Sequence, residues 1–236
     1  MTFNTEKCKV LHVGRGNPKY TYKMNGVELE ETVKERDIGV IINKDLKPTQ
    51  QCAEASRRAS AVLTQITKAF MYRDRKTFLQ GYKQFVRCHQ EFAVPVWCPW
   101  TAGDIEILER VQRRAVNLVV GIKGLPYEEK LADLGITSLH ERRKKMDLIQ
   151  TFKIINGLDN VKSSTWFTLV GPNNVRQTRN SNCEKNIVGF RSRTNIRQNF
   201  YSNRVVSFWN KLPSDIKMSR TLHQFKAKIR DIILTH

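Results

Sequence analysis

From Gln51 to Phe70 the chain reads QCAEASRRASAVLTQITKAF. Ala55, Ala59, Val62, Ile66 and Phe70 are separated by four, three, four and four residues, which places them on one face of an α-helix. The helical period begins near residue 45 and does not hold before it, so this stretch separates a β-type beginning from a helical remainder. Upstream, residues 9–13 are apolar and β-branched, and Gly14-Arg15-Gly16-Asn17-Pro18 stops them. Residues 20–24 alternate, Asn25-Gly26 supplies a type I′ hairpin turn, and residues 27–30 alternate on the return. Residues 38–42, Ile-Gly-Val-Ile-Ile, read as a short buried strand.

Downstream, the pattern stays helical. A second helix is predicted over 73–88, with Phe78, Leu79, Tyr82, Phe85 and Val86 inward. Pro95 and Pro99 break it. Gly103-Asp104 opens a third helix with Ile105, Leu108, Val111, Ala115, Leu118 and Val119 as its stripe. A short helix follows over 127–134. The next starts at Ser138, with Glu141 at capping-box spacing and a stripe of Leu139, Met146, Ile149, Phe152 and Ile155. Residues 171–199 are polar and read as a loop, or as a segment that orders on binding. Helices are predicted again over 200–210 and 222–234, the last with Phe225, Ile229, Ile232 and Ile233 inward. The fold class is therefore α+β, mainly α. A β-hairpin region spans 1–43, a helical bundle 44–160, and a basic, partly irregular extension with two helices 161–236.

Lys plus Arg is 41 against 22 Asp plus Glu, a formal net charge of +19. Over 1–43 the balance is seven to six, over 44–160 twenty to thirteen, and over 161–236 fourteen to three. An excess of this size points to a polyanion, and nucleic acid fits best. No apolar run approaches the roughly 18 residues of a spanning helix. The first residues lack the apolar stretch of a signal peptide, so cytosol or nucleus is expected and secretion is not.

Catalytic and metal chemistry find little support. The five cysteines are widely spaced, without a C-x₂-C pair, and Cys88-His89 with Cys98 is the nearest approach to a metal cluster. No two Asp residues are adjacent, and most Asp positions suit helix caps better than two-metal catalysis. The five histidines have no partner four residues away, and Gly14-Arg15-Gly16 is too short for a phosphate loop. No cofactor is expected.

Basic clusters carry more information. Arg57-Arg58, the group Arg73, Arg75 and Lys76, Arg113-Arg114, and the run Arg142-Arg143-Lys144-Lys145 recur along the helical part. One such run usually only solvates a helix face; several together favour phosphate contacts. Arg191, Arg193, Arg197 and Arg204 are interleaved with Phe190, Phe200, Tyr201, Phe208 and Trp209, a mixture that suits unpaired bases. The same residues read equally well as Phe208 and Trp209 packing the last helices while the arginines face solvent.

In order, Leu108-Glu109-Arg110-Val111-Gln112-Arg113-Arg114-Ala115 after Val96-Trp97-Cys98-Pro99, then Leu134-Gly135-Ile136, Arg142-Arg143, Arg193-Thr194-Asn195 and Trp209-Asn210 with Leu212-Pro213, resemble the C-terminal part of non-LTR retrotransposon reverse transcriptases of the LINE type, in the jockey and CR1 group. Arg36-Asp37-Ile38-Gly39-Val40 is similar to that family's primer-grip hairpin, with Ile38 where Leu is usual. Lys7 matches a Lys proposed to assist pyrophosphate departure. The resemblance implies the end of a palm, a thumb-like bundle and a C-terminal extension. It also implies a truncated reading frame, with the Mg²⁺-binding Asp-Asp motif upstream of residue 1.

The implied partners are RNA, RNA–DNA hybrid or single strands, including the element's own RNA, and no membrane. Expected contacts are Arg113, Arg114, Arg142, Arg143, Lys144, Lys145, Arg191, Arg193, Arg197 and Arg204, with Ile38 and Gly39 at the primer end. No catalysis is expected of the isolated chain, since Lys7 lacks its active site. The alternatives are a polymerase completed by a separate palm, and a degenerate product without function.

Overall fold

The computed structural model describes residues 4–14, 16–70, 74–170, 185–230 and 232. Arg15, Arg73, Cys183, Ile233 and the stretch 171–184 of the expected loop lie outside the described residues. The chain is α+β and mainly α. It forms two compact units, one of residues 1–93 and 99–123, the other of 94–98 and 124–236.

In the first unit a 3₁₀ turn, Thr5–Lys7, precedes β1 (Lys9–Leu11), β2 (Lys23–Met24), β3 (Val27–Glu28), β4 (Glu30–Thr32), β5 (Lys34–Asp37) and β6 (Val40–Asn43). β1 pairs parallel with β4, while β2–β3 and β5–β6 are antiparallel hairpins. Asn25 and Gly26 both have positive φ, 51° and 79°, as the Asn-Gly signal requires. Ile38 and Gly39 do the same at 43° and 84°. The expected strand over 38–42 therefore starts only at Val40, and Ile38-Gly39 is the hairpin tip. Its partner, Lys-Glu-Arg-Asp in β5, has no apolar alternation that could have announced a strand.

The helices are α1 (Thr49–Ala69), α2 (Arg75–Gly81), α3 (Arg87–Glu91), α4 (Val94–Trp97), α5 (Ala102–Asn117), α6 (Tyr127–Asp133), α7 (Leu139–Ile155), α8 (Ser163–Trp166), α9 (Asn195–Gln198), α10 (Tyr201–Lys211), α11 (Ser214–Lys217) and α12 (Leu222–Arg230). Thr101, Ser138 and Asp74 each accept the backbone N–H three residues on, capping α5, α7 and α2. A π-helical turn, Tyr82–Val86, joins α2 to α3. It widens the helix by a residue and turns Phe85 outward, while Tyr82 and Val86 stay buried.

α1 is the axis of the first unit, packed against α5, α3 and the π turn. Cys52, Ala55, Ala59, Leu63 and Ile66 of α1 are buried, as are Leu108, Val111 and Ala115 of α5. α5 comes close to α1 at Ser56, whose Oγ donates to the Ile107 carbonyl at 3.2 Å. Phe70, expected inward, is exposed, and Leu63 takes the buried position instead. The N-terminal hairpins do not stand apart: Val40 is buried, and Ile41 N–H donates to Gln51 Oε1 of α1 at 2.9 Å.

α7 is the axis of the second unit, with α4, α10 and α12 against it. Leu148, Phe152, Ile154, Phe167, Ile187, Tyr201, Val205, Trp209, Phe225 and Ile229 form its core. Phe152 and Phe225 stack with centroids 4.3 Å apart, and Trp209 Nε1 donates to the Lys185 carbonyl at 2.7 Å. The compact units thus do not follow the division into 1–43, 44–160 and 161–236. β6 is fastened to α1, and α10 and α12 complete the core around α7. Residues 185–199, expected as loop, pair Ile187 with Leu169 as a bridge and wind into α9. No helix among the described residues is long and apolar enough to cross a membrane.

Candidate nucleic-acid interface

In the first unit Arg57 and Arg58 lie on α1, Arg110, Arg113 and Arg114 on α5, and Arg75, Lys76 and Lys83 line a separate hollow on α2 and the π turn. Arg110 and Arg114, one turn apart on α5, share a groove of about 260 Å³ with Ser56, Ser60, Ile107 and Val111. Both arginines are exposed, and Arg114 Nη2 reaches back to the Ser60 carbonyl at 3.2 Å. Arg113, half-buried, pairs with Glu106 at 2.8 Å. Arg36, Arg57 and Arg58 all surround Glu54. The hydrogen bond from Arg57, helped by those from Arg58 and Arg36, holds that carboxyl down at about 2 against the effect of burial. One anion thus faces three guanidiniums. Lys7 ends the 3₁₀ turn and is exposed, and Ile38 is 88% exposed at its hairpin tip with Gly39 behind it.

The run 142–145 on α7 corrects the expectation. Arg143 is only 1% exposed and Lys144 is also buried, so neither presents its charge to a phosphate. Four consecutive helical residues cover a full turn, so the run cannot lie on one side, and here its middle faces the core. Burial lowers the pKa of Lys144, whose amine lies 5.1 Å from the Phe208 ring centroid. Lys145 pairs with Glu141 at 2.8 Å and donates to the Arg230 carbonyl. Arg142 is half-buried. Of the expected stripe, Leu139 and Phe152 are buried and Ile149 and Ile155 pack at the edge of the core, while Arg143, Asp147 and Thr151 are buried polar groups that a hydrophobicity count cannot find.

Arg204 is also taken inward. Its Nε and Nη2 donate to the two carboxylate oxygens of Asp147 at 2.8 and 2.9 Å. Nη1 donates to the Asn199 carbonyl at 3.0 Å and Nη2 to the Pro95 carbonyl at 2.8 Å. Burial is the largest influence and works against this charge, but the Asp147 hydrogen bonds and the carboxylate's charge together outweigh it, leaving the guanidinium above its ordinary pKa. Nearby, burial pushes the Cys98 thiol up to about 11, which keeps it protonated. No group of three His, Cys, Asp or Glu among the described residues could hold a metal ion.

Arg191, Arg193 and Arg197 remain on the surface. Asn203 of α10 fixes their segment: its amide donates to Ser192 Oγ at 2.9 Å and to the Arg197 carbonyl at 2.8 Å. The aromatic residues divide. Trp209 is fully buried and Tyr201 nearly so, whereas Phe190 and Phe200 face solvent. Trp166 of α8, which sequence reading did not single out, lies beside Phe200. They are 34 residues apart in the sequence, and no local pattern links them. Compared with family models, curated proteins and solved structures, the chain gives no match.

Proposed function

We propose that the chain is a nucleic-acid-binding module, the end of the palm, the thumb and the C-terminal extension of a LINE-type reverse transcriptase, acting in the cytosol or nucleus. The observation that carries this reading is the +19 charge together with where its exposed part lies. Arg110 and Arg114 share one groove of the first unit, and Arg191, Arg193 and Arg197 crowd seven residues of the second. Such clusters repel one another and are stabilised by a polyanion that releases its counterions on binding. The ligand is RNA, an RNA–DNA hybrid or a single strand, and binding needs no metal.

Polymerisation lies outside this reading. Phosphoryl transfer by two metals needs clustered carboxylates, and the 236 residues contain no adjacent Asp pair. Primer extension with Mg²⁺ on a primed RNA template tests this side, and incorporation above a protein-free blank would sink it. Titration of labelled RNA, hybrid and duplex DNA, with and without chelator, tests the other. Binding that survives chelator and weakens with salt is expected.

A further inference from the structure

The segment bearing the three exposed arginines also bears exposed rings. Phe200 is 44% exposed, and Trp166 is 37% exposed. Their centroids are 6.3 Å apart and their planes within 6° of parallel. The Arg197 guanidinium carbon lies 5.3 Å from the Phe200 centroid. An indole, a phenyl ring and a guanidinium thus form one continuous array at the surface.

The array is mounted on the core. Tyr201, buried below it, meets Trp166 nearly edge-on at 5.9 Å and 69°. The Tyr201 hydroxyl shares a hydrogen bond with Thr151 Oγ1 at 2.9 Å. Arg204, locked to Asp147, lies over the Tyr201 ring at 5.6 Å. Exposed rings forgo the burial that stabilises a core, at about 25 cal/mol for each Å² left in water. Here two of them are held in place from beneath, which is what a preformed binding surface requires.

The chemistry selects the occupant. Flat aromatic faces take flat ligands, and guanidiniums beside them take anions. Only three acidic residues stand among residues 161–236, against fourteen basic ones. A ligand with planar groups on an anionic backbone answers both features, and a paired duplex hides its base faces. We propose that Trp166, Phe200 and Arg197 form a base-stacking site for single-stranded nucleic acid, with Arg191 and Arg193 on the flanking phosphates. The site deepens, and rests on, the nucleic-acid reading above.

The test uses the full chain in anisotropy titrations with three probes: a short oligouridylate, an abasic oligomer of equal length and a blunt duplex. Trp166→Ala and Phe200→Leu should each weaken oligouridylate binding roughly 5- to 150-fold, the range for loss of one stacked base. Binding of the abasic oligomer and the salt slope should not change. Trp166→Phe keeps an aromatic face and should retain most of the affinity. Phe200→Leu preserves apolar volume, so it reports even if Trp166→Ala fails the circular-dichroism check. Variants that bind oligouridylate like the parent would leave the rings to a protein partner and overturn the site, as would an equal loss on the abasic oligomer. Both leave the parent's salt dependence intact. A parent with no salt-dependent binding of any probe fails the underlying reading instead.

Discussion

Arg204 ties three separate pieces of chain, α4, α7 and the turn after α9, through donors in a planar fork. A Lys at this position keeps the charge and loses the fork, so Arg204→Lys should not rescue what Arg204→Ala loses. Arg204→Ala strands the buried Asp147 carboxylate and should cost about 3–5 kcal/mol in urea unfolding near pH 7. Burial is the largest influence on that carboxyl and pushes its pKa up. With the arginine gone, its folded pKa stands above the unfolded one. Such a group contributes stability below the unfolded pKa and loses it as pH rises through the folded value. The deficit of Arg204→Ala should therefore shrink as pH falls from 7 toward 4. A deficit that stays constant with pH would mean that Asp147 is not the group left exposed to the loss. Ile38 offers the opposite case, a β-branched residue at φ 43° with nothing to hold it inside. Asn25-Gly26 occupies the same kind of turn without that strain. Ile38→Asn should raise stability by about 1 kcal/mol by relieving it. An unchanged or lower thermal midpoint would show that the hairpin tip tolerates Ile at no cost.

At the scale of elements, α5 and α7 look alike in sequence and behave differently. Both alternate apolar stripes with basic pairs. α5 buries Leu108, Val111 and Ala115 and leaves Arg110 and Arg114 outside. α7 buries Arg143 and Asp147 among its apolar residues. The replacement of Arg110 and Arg114 by Ala should flatten the salt slope of RNA binding by roughly one to two units, at about 0.7–0.9 per lost contact, with stability unchanged. Arg143→Ala should leave the slope alone and cost on the order of 2–4 kcal/mol, since it empties packed volume. A flattened slope from Arg143→Ala in a folded protein would contradict its interior position. This contrast also explains what the sequence revealed. α1, α10 and α12 were legible because their buried faces are mostly apolar, and α5 because Leu108, Val111 and Ala115 keep the helical period although Asp104, Glu109 and Gln112 are buried beside them. α7 was legible in its cap and length, but its inward face depends on ion pairing with Arg204, 57 residues away. β5 was hidden because all four of its residues are charged, and Phe85 was misplaced because a π turn has no periodicity signature.

For the whole molecule, the excess of charge was plain from composition, whereas its location was not. Of the ten cations expected at the interface, Arg143, Lys144 and Arg204 are committed to the interior, Arg113 and Lys145 to neighbouring carboxylates, and Arg142 is half-buried. Arg191, Arg193 and Arg197 stay outside, and the groove adds Arg110 to Arg114. The stacked rings escaped sequence reading for a different reason: Trp166 reaches Phe200 only through the packing of α8 on Tyr201. Counting only Arg110, Arg114, Arg191 and Arg193 as phosphate contacts, with Arg197 on the Phe200 ring, gives an expected slope of log K against log salt of about −2.8 to −3.6. The formal charge of +19 would suggest a steeper one. Counterion release counts only phosphates that are actually neutralised, so cations already paired with Glu54, Glu106 or Asp147 should contribute little. Titrations of single-stranded RNA from low to physiological salt measure this directly. A slope beyond about −8 would mean that the paired cations exchange their carboxylates for phosphates on binding. A slope near zero would mean that the arginines only solvate the surface, and the electrostatic reading of this chain would have to be abandoned.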